Sequence, residues 1–238
     1  MTNARERLIV ALDVSSAAAA QKIVTAVGDS ASIYKVGMQL YTAEGPQIVR
    51  DLVAAGRKVF LDLKFHDIPN TVGSAVHEAA SLGVHMLTVH ACGGSKMLQA
   101  ATDAAARSGN QPPIVLAVTV LTSMDESDLN SVGVSGNVSD QVVRLARTAI
   151  QNRCQGIVAS VQEASLLRKE LGGNFAIVTP GIRPAGSAVG DQARIATPAE
   201  AMAAGATHIV VGRPITGASD PKTAAQEVIA EMSEALAT

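Results

Sequence analysis

The chain has 238 residues, 47% of them apolar but only 2% aromatic and none Trp, so any core must be built from Ala, Val, Leu and Ile. Its formal charge of -2 and the absence of any Lys/Arg run argue against nucleic-acid binding and favour small-molecule chemistry. No apolar stretch approaches the roughly 20 residues of a membrane span, and the polar residues 1–6 open no signal sequence, so a cytoplasmic protein is expected.

Residues 7–13 (RLIVALD) predict a short buried strand, followed by a Ser15-Ser16 cap signal and an alanine-rich helix over 17–27. A second strand, 33–38 (IYKVGM), carries Lys35, and a helix expected over 43–55 is closed by Gly56. The third strand opens the run 59–71 (VFLDLKFHDIPNT), whose Val59, Phe60 and Leu61 are continuous in the way of a strand with both faces covered. A helix over 71–82 ends at Gly83, and 86–91 (MLTVHA) makes the fourth strand, with a helix over 95–107 behind it. The run 114–121 (IVLAVTVL) is the fifth strand, followed by a polar loop, 122–136, and a helix over 139–152. Strand six at 156–160 and its helix at 162–171 precede strand seven, 175–181 (FAIVTPG), and a loop rich in Gly, Pro and Arg that reaches residue 196. A short helix over 198–204, strand eight at 208–213 (HIVVGR) and a helix over 221–237 complete the order.

Eight strand-helix units follow one another with no compositional break, which predicts one domain over 1–238. Gly56, Gly83, Gly172 and Gly205 each close a helix shortly before an apolar strand, a loose internal echo. Alternation of this kind implies a parallel sheet, and eight units close a (β/α)8 TIM barrel. An open doubly wound sheet is the alternative, but no G-x-G-x-x-G follows the first strand.

In the third unit an apolar strand ends in charge. Asp62 and Lys64 are two apart and share one side of a strand, while Asp67 lies just before the extended break at Pro69. Burying ions is costly unless they pair, so the cluster reads either as a structural network or as catalytic machinery, and the full D-x-K-x-x-D-I-P-x-T run at a strand end favours catalysis. A barrel demands that catalytic groups lie at the carboxyl ends of strands. Asp13, Asp62, Lys64, His90, Thr122, Ser123, Arg183 and Arg213 fall at or just beyond such ends and Lys35 lies on strand two, His90 reading more readily as a structural, hydrogen-bonded histidine. The loops after strands seven and eight, T-P-G-I-R-P-A-G-S and V-V-G-R-P-I-T, predict a phosphate site: Gly181, Gly186 and Gly212 permit close backbone approach, and Arg183 and Arg213 supply charge. The five histidines show no H-E-x-x-H or Cys/His ligand spacing, so no metal is expected, and Cys92 and Cys154 read as reduced, structural thiols.

With these residues in view, the chain resembles the orotidine 5'-phosphate decarboxylase family over essentially its whole length. D-L-K-F-H-D-I-P-N-T is similar to that family's signature, L-T-S-M after strand five to its base-contacting turn, and G-I-R-P with V-V-G-R to its phosphate grip. The resemblance implies conversion of orotidine monophosphate to uridine monophosphate and CO2 in de novo pyrimidine synthesis, without cofactor or metal. It makes Lys64 the general acid at carbon 6, with Asp62 and Lys35 completing a charge network. Asp67, with Ile68 and Thr71 beside it, would come from the other subunit of a homodimer. Asp13 and Lys35 resemble ribose-hydroxyl contacts, Thr122 and Ser123 contacts to sugar and base, and Arg183, Gln192, Gly212 and Arg213 the phosphate and closing-loop positions. Two rivals remain: a magnesium-dependent sugar-phosphate decarboxylase or epimerase, which looks as if it needs an acidic ligand where this chain has Lys35, and a non-catalytic binder of phosphorylated nucleosides.

Overall fold

A computed structural model describes residues 4–109, 111–184 and 196–237. Eight short parallel strands pair in sequence order and close on themselves: β1 (Leu8–Ala11), β2 (Ile33–Gly37), β3 (Lys58–Phe65), β4 (Met86–His90), β5 (Ile114–Val118), β6 (Gly156–Val158), β7 (Ala176–Thr179) and β8 (His208–Val211). Ile9 stands opposite Ile33 on β2, and Leu8 opposite Ile209 on β8, so the first strand joins the last.

Side-chain alternation divides the apolar residues into two layers. Ile9, Ala11, Ile33, Phe60, Met86, Leu116, Val178 and Val210 pack together as one buried cluster, the filling of the barrel. Val10, Leu61, Leu87, Val115, Ile157, Ile177 and Ile209 belong to the larger core, where the strands meet the surrounding helices. Cover on both faces is why these strands read as unbroken apolar runs, and each fully buried aliphatic side chain contributes roughly 1.5–3 kcal/mol.

The helices are α1 (Ala17–Val27), α2 (Met38–Glu44), α3 (Gln47–Ala54), α4 (Pro69–Ser81), α5 (Gly94–Ala106), α6 (Glu126–Ser131), α7 (Val138–Gln151), α8 (Val161–Leu171), α9 (Pro198–Ala203), α10 (Arg213–Thr216) and α11 (Pro221–Ala237). The Ser16 hydroxyl caps α1, accepting the Ala19 N–H at 3.2 Å. The four echoing glycines all have positive φ, 73° at Gly56, 80° at Gly83, 56° at Gly172 and 94° at Gly205, which is the left-handed exit that a side chain would strain.

Strands one, five, six and seven end two or three residues before their expected ends, and four further differences stand out. The helix expected over 43–55 is two helices, because Gly45 turns at φ 66° and Pro46 has no N–H to continue the first. The loop over 122–136 contains α6, started by a reciprocal capping box between Asp125 and Asp128. α4 starts at Pro69 rather than at residue 71, using proline's fixed φ in its first turn. Strand β8 stops at Val211, so Arg213 does not end the strand but opens α10. Among the described residues no helix is long and apolar enough to cross a membrane.

Candidate active site

The barrel's carboxyl-terminal mouth is organised by an irregularity in β3. Leu61 stands opposite Leu87 and Phe65 opposite Val89, so β3 advances four residues where β4 advances two. The surplus is absorbed at Lys64, which adopts φ 54°, a left-handed conformation uncommon outside glycine. Two-residue spacing on a regular strand therefore does not place Lys64 beside Asp62; the bulge does. Lys64 Nζ donates to Asp62 Oδ1 at 2.8 Å, with the two side chains 25% and 14% exposed.

Asp62 is reached by a second cation. Lys35, on β2, donates from Nζ to Asp13 Oδ1 at 2.7 Å and lies 4.0 Å from Asp62 Oδ2. Asp13, Lys35, Asp62 and Lys64 thus form a continuous chain of alternating charge from the end of β1 across to β3. One residue that sequence reasoning did not select joins it. Thr88, fully buried on β4, donates its hydroxyl to Asp62 Oδ1 at 3.0 Å and accepts the Lys64 backbone N–H at 2.9 Å.

Two contiguous cavities open around this chain. One, of about 170 Å³, is lined by Lys35, Asp62, Lys64 and Thr122 and otherwise by apolar side chains, among them Phe60, Val118, Leu121, Val158 and Val210. The other, of about 370 Å³, shares Lys35 and Asp62 and continues to Asp13, Gly181, Arg183, Gly212, Arg213 and Thr216. Arg183 is buried, donating one guanidinium N–H to the Ile182 carbonyl at 2.9 Å. Burial, and then the neighbouring Arg213 guanidinium, hold its pKa below the ordinary arginine value. Two adjacent guanidiniums repel each other, and an anion bound in the cavity beside them would relieve that repulsion.

Most of the residues singled out from sequence converge here. Five of the described ones, Ser123, Asp67, Ile68, Thr71 and His90, do not line either cavity. Ser123 is exposed beyond Thr122, and Asp67, Ile68 and Thr71 are exposed at the start of α4. Asp67 accepts the N–H of its neighbour Ile68 at 2.6 Å and pairs with no cation among the described residues. Gln192 and Gly186 lie outside the described residues. His90 is half-buried and has its ring 5.4 Å from that of His66, and it forms no side-chain hydrogen bond among the described residues, contrary to the expectation of a bonded core histidine. Burial first, then His66 and Lys64, lower its pKa from the usual histidine value. Among the described residues no group of His, Cys, Asp and Glu side chains is placed to hold a metal ion.

A closed (β/α)8 barrel whose mouth joins a lysine–carboxylate chain to an arginine-lined cavity defines an enzyme of the barrel class, shaped for a small anionic substrate. Residues 6–228 match the model of the Orotidine 5'-phosphate decarboxylase / HUMPS family, and the chain belongs to that family. It is 52% identical to a protein of Afipia carboxidovorans named orotidine 5'-phosphate decarboxylase, over 98% of this chain and 97% of that one. A protein of Rhodopseudomonas palustris with the same name is 51% identical over 97% of this chain and 96% of its own length. The crystal structure of orotidine 5'-phosphate decarboxylase from Lactobacillus acidophilus is similar with a TM-score of 0.87 at 40% identity, covering 95% of this chain and 99% of that one.

Proposed function

We propose that this chain decarboxylates orotidine 5'-phosphate to uridine 5'-phosphate and CO2, the last step of de novo UMP synthesis, with Lys64 as proton donor and no metal or organic cofactor. The observation that carries the assignment is the alternating chain Asp13, Lys35, Asp62 and Lys64 set between an apolar cavity and an arginine-lined one. Arg183, Gly212 and Arg213 hold the phosphate, with Gln192 as a further contact, and Asp13 and Lys35 hold the ribose hydroxyls. The pyrimidine then enters the apolar cavity, with Thr122 and Ser123 at its edge. The carbon 6–carboxylate bond breaks with its electron pair left on carbon 6, CO2 departs, and an N–H of Lys64 delivers the proton that forms the new C–H bond. Solvent restores the lysine's proton after product leaves.

Enzymes lower reaction barriers by roughly 8–23 kcal/mol or more, while one preorganised donor contributes about 3–4 kcal/mol. Lys64 alone is therefore insufficient. The apolar walls that exclude water supply part of the remainder, and binding energy at the distant phosphate supplies another, because contacts there lower the barrier at a ring they never touch.

The active unit in this proposal is a homodimer in which Asp67, Ile68 and Thr71 of one chain complete the site of its partner. In support, Asp67 is turned to solvent in its own chain, and Ile68 is 67% exposed, a large apolar side chain left uncovered at the start of α4. Free Cys92 and Cys154 suit a reducing compartment, in keeping with a cytoplasmic enzyme. A magnesium-dependent sugar-phosphate decarboxylase or epimerase would need an acidic ligand near the end of β2, where Lys35 instead bonds Asp13. Turnover of orotidine 5'-phosphate followed by absorbance in excess EDTA separates the two: full activity is expected, activity abolished by EDTA would favour the magnesium enzyme, and no turnover at all would sink the assignment.

A further inference from the structure

We infer that Thr88 is a positioning residue for this decarboxylation, a single hydroxyl that fixes Lys64 at both its root and its tip. The inference rests on the function proposed above and extends it to a residue that lines neither cavity. Thr88 lies on β4 between Met86, which packs in the barrel's inner layer, and His90 at the strand end, so alternation turns its side chain inward. No part of it is exposed.

The two bonds made by its hydroxyl use complementary capacities. A hydroxyl has one proton to give and lone pairs to accept; here the proton goes to Asp62 Oδ1 at 3.0 Å, and a lone pair takes the Lys64 amide N–H at 2.9 Å. Both are consequences of the bulge. The register shift between Leu61 and Phe65 takes the Lys64 amide out of the β3–β4 ladder, and Thr88 Oγ1 is the acceptor that replaces the lost backbone carbonyl. Held in this way, Lys64 keeps φ 54°. The carboxylate oxygen that accepts the Thr88 hydroxyl is the same one that accepts Lys64 Nζ at 2.8 Å, so Thr88 also sets the direction from which the ammonium is held. Because threonine is branched at Cβ, its χ1 is restricted and the hydroxyl cannot easily swing away.

Steady-state kinetics on Thr88→Val and Thr88→Ser test this, with melting temperatures recorded for both. Val keeps the branched shape and loses the hydroxyl; Ser keeps the hydroxyl and loses a methyl. Misplacing a reacting group by about 1 Å costs on the order of 100-fold, so Thr88→Val should lower kcat on that scale with KM within about threefold of wild type, while Thr88→Ser restores kcat to within about fivefold. A residue needed only for packing would give the reverse order, Val active and Ser impaired. Either that order or a Thr88→Val kcat within threefold of wild type overturns the inference. Should Thr88→Val fail to fold, judged by circular dichroism, Thr88→Ala takes its place in the comparison with Ser and the same outcomes decide. A wild-type enzyme that did not turn over orotidine 5'-phosphate would instead overturn the functional proposal itself, and Thr88 would have no proton delivery to position.

Discussion

A methyl group on residue 37 would stand 2.9 Å from Lys35 Nζ, so the absence of a side chain at Gly37 leaves the room in which the Lys35 ammonium meets Asp13. The backbone there is extended, φ -96°, and open to any residue. In Gly37→Ala the group that must move is the flexible end of a lysine, which costs the fold little but displaces a charge from the network. Stability within about 1 kcal/mol of wild type is expected, together with a kcat/KM for orotidine 5'-phosphate lower by about 10- to 100-fold. Urea titration beside steady-state kinetics checks both; an unchanged efficiency would mean that the Asp13–Lys35 pair does not position substrate.

Lys64 carries two separable properties, a strained backbone and the side chain proposed above as proton donor. A left-handed conformation costs a residue with a Cβ about 1–2 kcal/mol, a cost that glycine avoids at the expense of a more disordered unfolded chain. Lys64→Ala keeps the strain and Lys64→Gly releases it. Both variants should lose decarboxylation, and Lys64→Gly should be the more stable of the two by about 0.5–1 kcal/mol. Activity within tenfold of wild type in either would remove the central assignment, and equal unfolding midpoints would show that φ 54° carries no cost.

Much of this was legible in the sequence because each strand is buried on both faces, which makes apolar runs such as VFL and IVLAV hard to mistake. The residues at the mouth were legible for a related reason: charge at the end of a buried run demands a partner. Thr88 was not, since a threonine in MLTVHA looks like any strand residue until the bulge on a neighbouring strand, 24 residues away, leaves an amide for it to accept. The break between α2 and α3 had its signal, Gly45-Pro46, which the helix expected over 43–55 ran across. The place proposed for Asp67 came from the family resemblance alone, since within its own chain it is exposed and bonds only the neighbouring Ile68 N–H among the described residues.

Arg213 and Arg183 line the same cavity, and the buried Arg183 is anchored to a backbone carbonyl while Arg213 is exposed at the rim. Removing the outer guanidinium in Arg213→Ala should lower kcat/KM by about two to four powers of ten, because phosphate binding energy acts on the distant ring. Guanidinium ion added to the assay should restore part of this loss by occupying the space left behind. A fall of less than threefold would place the phosphate elsewhere.

The opposite end of the barrel governs acid stability. His208 opens β8 with Nδ1 2.9 Å from the Thr207 hydroxyl, and burial, with smaller contributions from His85, Arg7 and Lys58, lowers its pKa to about 4. The unfolded chain binds that proton near pH 6.5, so between about pH 6.5 and 4 the unfolded state holds more protons than the folded one and stability must fall as pH falls. The contribution is complete above pH 6.5 and is lost on the way down to about pH 4; its full size is on the order of 3 kcal/mol. His85, whose pKa is lowered by burial and Lys58, adds in the same direction. His208→Gln can keep a hydrogen bond to Thr207 but cannot titrate. Its urea midpoint should therefore decline less than that of wild type between pH 6.5 and 4.5, with kcat at pH 7 unchanged because the site lies at the other end of the strands. Parallel declines in the two proteins would show that this histidine is not the group being protonated.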